Sequence, residues 1–112
     1  MNRIEEALMR SSDFVEIIGM DGKVLSANTS FAQECGDEAE DSDSWIMQWP
    51  ESSRASVLIG LEEALDGRSH RFEAYRPRNG KDAWWDVTVT SITDDKGTAG
   101  ALVVARDITR LR

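Results

Sequence analysis

The sequence is short of the side chains that most often carry chemistry, and each shortage excludes something. One cysteine, Cys35, among 112 residues excludes an internal disulfide and a cysteine-built zinc cluster. One histidine, His70, sits beside Arg68 and Arg71; a lone ligand in cationic surroundings suits a metal poorly and reads as a solvent-exposed structural residue. Gly-rich phosphate loops, an activated serine elbow and a histidine–carboxylate pair are missing, so the sequence reads as non-enzymatic. Basic residues are outnumbered: 13 Lys and Arg against 21 Asp and Glu give a formal charge of −8. A domain without a basic stripe is a poor partner for nucleic acid and for anionic membrane surfaces. No apolar run approaches the roughly 20 residues of a membrane span. The opening Met1-Asn2-Arg3-Ile4-Glu5-Glu6 carries acids where a secretory signal has an apolar stretch. A cytoplasmic location is the default expectation, with any membrane anchor in other parts of a longer parent.

What is present suits one domain with a single core: 40% hydrophobic and 30% charged residues. Asn2 with Glu5 resembles a capping box, and Ile4, Ala7 and Leu8 fall at helical spacing, which predicts a short amphipathic helix over about residues 3–11 within an N-terminal segment 1–12. Phe14 to Ile18 and Lys23 to Ala27 are β-rich and joined by Asp21-Gly22, a hairpin signal. Asn28 is placed to cap a short helix that carries Phe31, Ala32 and Cys35 on one face, ended by Gly36. Residues 37–44 form an acidic loop without the spacing or glycine of a calcium site. Trp45 to Pro50 is compact and apolar, sufficient for one helical turn. Val57, Leu58, Leu61, Ala64 and Leu65 then mark the longest helix, over about 52–66, with Ser52 or Ser53 as its cap and Gly67 as its stop. Three strands follow, Arg71–Pro77, Asp82–Ile92 and Thr98–Ile108, joined at Asn79-Gly80 and Asp94–Gly97.

Hairpin turns imply antiparallel pairing. Two separate sheets would split a small core and expose long edges, so one five-stranded sheet roofed by the helical middle is the economical arrangement. Strand order is not fixed by the residues themselves, although setting the last strand beside the first would bury the apolar Ala101–Ala105 run.

Taken in order, these elements resemble a PAS domain over nearly the whole chain. The resemblance rests on Ile18-Gly19-Met20-Asp21-Gly22-Lys23-Val24-Leu25 with Asn28 and Phe31; on Trp45, Pro50, Arg54 and Val57 through Gly67; on Phe72-Glu73 and Trp84-Trp85-Asp86-Val87-Thr88-Val89; and on Gly97, Gly100 and Arg106-Asp107-Ile108-Thr109. It implies an α+β fold with strand order 2-1-5-4-3, small helices enclosing a pocket, a core over 13–109 and an output linker beginning at 110–112. It further implies a sensory or dimerising role in signal-transduction proteins such as kinases and cyclases, with the signal leaving through a C-terminal effector.

Alternation places Trp85, Val87 and Val89 on one strand face, with Phe72, Ala74, Ala101, Val103 and Ala105 facing the same way. Opposite them would lie Phe31, Cys35, Val57, Leu58 and Leu61. These are the candidate ligand-pocket residues; the competing reading is a solid core. The long helix has no histidine to hold haem, and Cys35 lacks the Cys-Arg-Phe-Leu run of flavin-binding light sensors, so no cofactor is expected. Asp107, Ile108 and Thr109 are the expected signal exit. Trp84, Leu102 and Val104 point to the other sheet face, where with Ile4 and Leu8 they form the expected homodimer surface. Glu73 and Asp86 are expected to pair on the surface with Arg71, Arg76 or Lys81.

Overall fold

The computed structural model describes residues 14–27, 44–93, 96–97 and 99–111. The expected N-terminal helix, the Asn28–Gly36 helix and the acidic loop, and with them Ile4, Leu8, Phe31 and Cys35, lie outside the described residues.

Strand β1 (Phe14–Gly19) and strand β2 (Val24–Ala27) form the first hairpin. Gly22 closes it with φ +82°, in the left-handed region where a side chain is strained. The pairing slips by one residue between Ile17 and Ile18. Such a bulge turns its extra residue away from the ladder, and Leu25 is 67% exposed. Helix α1 (Glu51–Leu65) follows a 3-10 turn at Ile46–Gln48. Strands β3 (His70–Tyr75), β4 (Trp84–Thr93) and β5 (Ala99–Asp107) complete one antiparallel sheet of order β2-β1-β5-β4-β3. The last strand is therefore central, and Gly100 of β5 stands where a Cβ would come within 2.7 Å of the Ile18 carbonyl oxygen.

The start of α1 differs from the expected serine cap. Its cap position is Pro50, and no side chain caps it. The Ser53 hydroxyl instead donates to the Tyr75 carbonyl at 2.7 Å, tying the helix to the end of β3. At the other end the Arg68 N–H returns to the Glu63 carbonyl and the Gly67 N–H to that of Ala64, with Gly67 at φ +89°. This is the Schellman pattern that a C-terminal glycine permits.

Cross-strand register fixes the faces. Phe14, Glu16 and Ile18 pair with Ala105, Val103 and Ala101, which pair with Val87, Val89 and Ser91. Those strands continue to Trp85, Ala74 and Phe72. Together they make the inner face, covered by α1 through Val57, Leu61 and Ala64 and by the buried indoles of Trp45 and Trp49. Leu58 departs from the expected core stripe: it is 42% exposed, because the inward stripe runs through Val57, Gly60, Leu61 and Ala64. Gly60 brings α1 so close to β3 that a Cβ there would stand 2.6 Å from the Phe72 ring.

Candidate functional site

Four aromatic side chains gather in the interior, two from the strands and two from the turn before α1. Phe14 and Trp85 stack at 4.9 Å between centroids, while Trp45 meets Trp49 edge-on at 6.2 Å. Of the expected pocket residues, Val57, Leu61, Ala74, Trp85, Val87, Ala101 and Val103 are buried together in this core, and Phe72 packs against it half-buried. Leu58 does not join them.

Two charged groups lie buried in the same interior, where the sequence reading places neither. Glu16 is 2% exposed and Arg76 is 3% exposed. The Trp45 indole N–H donates to Glu16 Oε1 at 3.2 Å. Burial pushes the Glu16 carboxyl up to about 7, against the pull of the Arg76 charge and the Trp45 bond. The Arg76 guanidinium sits over the Trp49 ring at 5.5 Å, and Trp49 Nε1, also buried, finds no acceptor among the described residues. Arg76 was expected at the surface beside Glu73 or Asp86. Its placement inside follows from its position just past β3, where its N–H bonds the Ala83 carbonyl and its own carbonyl takes the Trp85 indole N–H at 2.9 Å. Asp86 is held by Arg71 instead, through two bonds of 2.8 and 2.6 Å. The signal for Glu16 was legible: strand alternation places it on the same face as Phe14 and Ile18.

The strand exit is stitched to the rest of the fold. Asp107 Oδ1 accepts the Thr109 N–H at 2.9 Å and the Thr109 hydroxyl. Thr109 Oγ1 in turn accepts the Trp84 N–H at 3.1 Å, and the Ile108 N–H bonds the Trp84 carbonyl. Asp107 Oδ2 takes Arg78 Nη1 at 2.9 Å. Burial alone would raise the Asp107 carboxyl, but the Thr109 and Arg78 bonds together outweigh it and hold it below its ordinary value. Arg78 also lies 5.2 Å from the Phe14 ring and 5.7 Å from the Trp85 ring, within cation–π reach of both. One guanidinium thus touches the inner aromatic layer and the exit. Beside it runs an open groove of about 580 Å³, lined by Arg78, Lys81, Asp107, Thr109 and Arg110 among others. Thr109–Leu111 forms a 3-10 turn.

On the opposite face Trp84, Leu102 and Val104 are half-buried, and Trp84 packs edge-on against Tyr75 at 5.7 Å. His70 is half-buried against Phe72 at 5.9 Å. Among the described residues no helix is long and apolar enough to cross a membrane.

No curated protein matches the chain. Solved structures do. The Vibrio cholerae VqmA dimer, a LuxR-type receptor, superposes with TM-score 0.74 at 17% identity, over 99% of this chain and 53% of that one. The chain thus spans about half the length of VqmA. The PAS domain of a Colwellia psychrerythraea protein gives TM-score 0.71 at 16% identity, over 96% of both chains. The N-terminal domain of a Marinobacter aquaeolei diguanylate cyclase with a PAS/PAC sensor gives 0.66 at 16% identity, over 89% of this chain and 98% of that one. A family model described as the PAS fold matches residues 8–112. Strand order, the helix on the inner face and this match agree, and the chain belongs to the PAS family.

Proposed function

We propose that this PAS domain is a small-molecule sensor that passes its state to an effector following it in a parent protein, such as a kinase or diguanylate cyclase. The ligand sits between α1 and the inner sheet face. The observation that carries the reading is the continuous contact from the inner aromatic pair Phe14–Trp85 through Arg78 to Asp107 and Thr109. A ligand that shifts the aromatic layer changes the seating of Arg78 and so the hold on the exit. It biases the exit by no more than its differential affinity for the two arrangements. The domain does no chemistry of its own in this reading, and it works as a homodimer through the face bearing Trp84, Leu102 and Val104. Support comes from the sensory and receptor proteins among its structural neighbours, one of which is VqmA bound to DPO.

A ligand-free dimerisation module is the second reading, favoured by Trp45, Trp49 and Trp85 filling the interior at no more than 1% exposure each. Native mass spectrometry of the 112-residue chain purified from cells decides between them. A bound small molecule supports sensing; an empty dimer supports assembly; an empty monomer at high concentration removes both.

A further inference from the structure

We propose that Trp49, Arg76 and Glu16 form the recognition centre for the carboxylate head of a small monoanionic ligand; this rests on the sensor reading above. Three observations meet here. Trp49 Nε1 is a buried hydrogen-bond donor with no acceptor among the described residues, and its residue is 1% exposed. Such a donor is costly to leave unmade. Arg76 brings a permanent positive charge into the same interior, within cation–π reach of the Trp49 ring. Glu16 is the buried counter-charge, with the Trp45 indole already on one oxygen.

The donor set points to the ligand class: a buried N–H and a buried guanidinium together call for acceptor oxygens, and a carboxylate supplies two. Arg76 and ionised Glu16 are neutral together, so a neutral ligand leaves that balance alone. A carboxylate that takes the Trp49 N–H and shares the Arg76 guanidinium puts two anions around one cation out of water. One of them must then be neutral. Glu16 is the group that gives way: it binds a proton at its carboxyl, while the incoming anion keeps its charge and the guanidinium keeps its partner. Among the described residues the groups acting on Glu16 are Arg76, from the segment after β3, and the Trp45 N–H, from the segment before α1. Its cross-strand neighbours, Ala27 on β2 and Val103 on β5, carry no charge. Nothing else described competes for that proton. Burial has already raised the Glu16 carboxyl to about 7, so the uptake is small in acid and approaches one proton per ligand above neutrality.

Calorimetric titration of the full chain with sodium propionate and sodium benzoate, and with propionamide and benzamide, tests this. Each is run in two buffers of different ionisation heat, from about pH 5.5 to about pH 8. At least one carboxylate should bind at up to millimolar concentration, its amide at least tenfold more weakly. Proton uptake should rise with pH, and affinity should fall by up to about tenfold per pH unit above neutrality. The Trp49 indole N–H resonance, assigned with Trp49→Phe, should move on binding. Glu16→Gln should bind without the pH dependence. Equal binding of amide and carboxylate, binding without proton uptake, a stationary Trp49 resonance, or no carboxylate binding at all would each overturn the assignment. A neutral molecule found by native mass spectrometry would overturn it too, while leaving the sensor reading intact.

Discussion

At the residue scale, Glu16 sets a pH dependence through its burial. Its carboxyl titrates at an ordinary 4.5 in the unfolded chain and at about 7 in the fold. A folded value above the unfolded one means that the folded state holds the proton more tightly. Stability from this group is therefore complete below about pH 4.5 and declines as pH rises through about 7. The loss across that window is about 3 kcal/mol. Asp107 acts the other way, because its carboxyl is held low; its contribution is present at neutral pH and lost only in stronger acid. We predict that urea unfolding shows wild-type stability falling between about pH 5 and about pH 8, and that Glu16→Gln flattens the fall. Glutamine keeps an oxygen for the Trp45 indole, so the comparison isolates the charge. Parallel pH profiles for the two proteins would show that Glu16 is not the group responsible.

At the element scale, two glycines that look alike differ in what stands opposite. A Cβ at Gly100 would meet the Ile18 carbonyl oxygen at 2.7 Å, and one at Gly60 would meet the Phe72 ring at 2.6 Å. The first obstacle is β1 backbone beside the Gly19–Gly100 pair that closes the β1–β5 ladder, and it cannot swing away as a side chain can. The second is a half-buried ring that can swing outward, and alanine in a helix regains roughly 1 kcal/mol of propensity over glycine. We predict that Gly100→Ala destabilises the domain by about 1–3 kcal/mol, while Gly60→Ala costs clearly less, both read from chemical denaturation. The reverse order would mean that α1 is clamped to β3 more rigidly than β1 to β5. The same contrast explains what was legible in the sequence. Strict alternation in β4 and β5 made the inner set Trp85, Val87, Val89, Ala101, Val103 and Ala105 readable before any coordinates, and turn glycines marked the hairpins. Leu58 was misread because α1 is apolar on two sides, with Ile59 exposed as well, so spacing alone did not single out the buried stripe. Arg76 was misread because charge suggests solvent, whereas its neighbours Ala83 and Trp85 draw it inside. The strand order became readable only through resemblance, since nothing local distinguishes a central β5 from a rim strand except the apolarity of Ala101–Ala105.

At the scale of the whole molecule, the proposed dimer surface gives the two adjacent tryptophans of β4 different roles, one in folding and one in association. Trp85 is buried and stacked on Phe14, and Trp84 is half-buried on the opposite face. We predict that Trp85→Ala costs about 3–5 kcal/mol and leaves self-association of the folded fraction little changed. Trp84→Ala should cost less stability and weaken self-association more, as sedimentation velocity would show. The opposite ranking would invert the assignment of the two faces.

In the proposed relay, coupling between interior and exit rests on Arg78, whose side chain reaches both among the described residues. Its ion pair with Asp107 is partly exposed, at 33% and 29% for the two side chains, and partly exposed pairs contribute only about 0–1 kcal/mol to stability. A contact so weak in the global balance can still dominate a local one. Asp107 holds Thr109 through two bonds, and Thr109 in turn holds the start of β4. Freeing the Asp107 carboxylate from Arg78 therefore loosens a chain of three short contacts at the point where the strand ends. Arg78→Met keeps an apolar stem over Phe14 and Trp85 and deletes the charge. Amide hydrogen exchange at Ile108 to Leu111 should then accelerate several-fold, with exchange in the centre of β4 and β5 and the unfolding midpoint nearly unchanged. If the exit amides kept their protection, its hold would reside in the Ile108–Trp84 backbone bond and the Thr109 hydroxyl alone, and Arg78 would carry nothing from the interior to the exit.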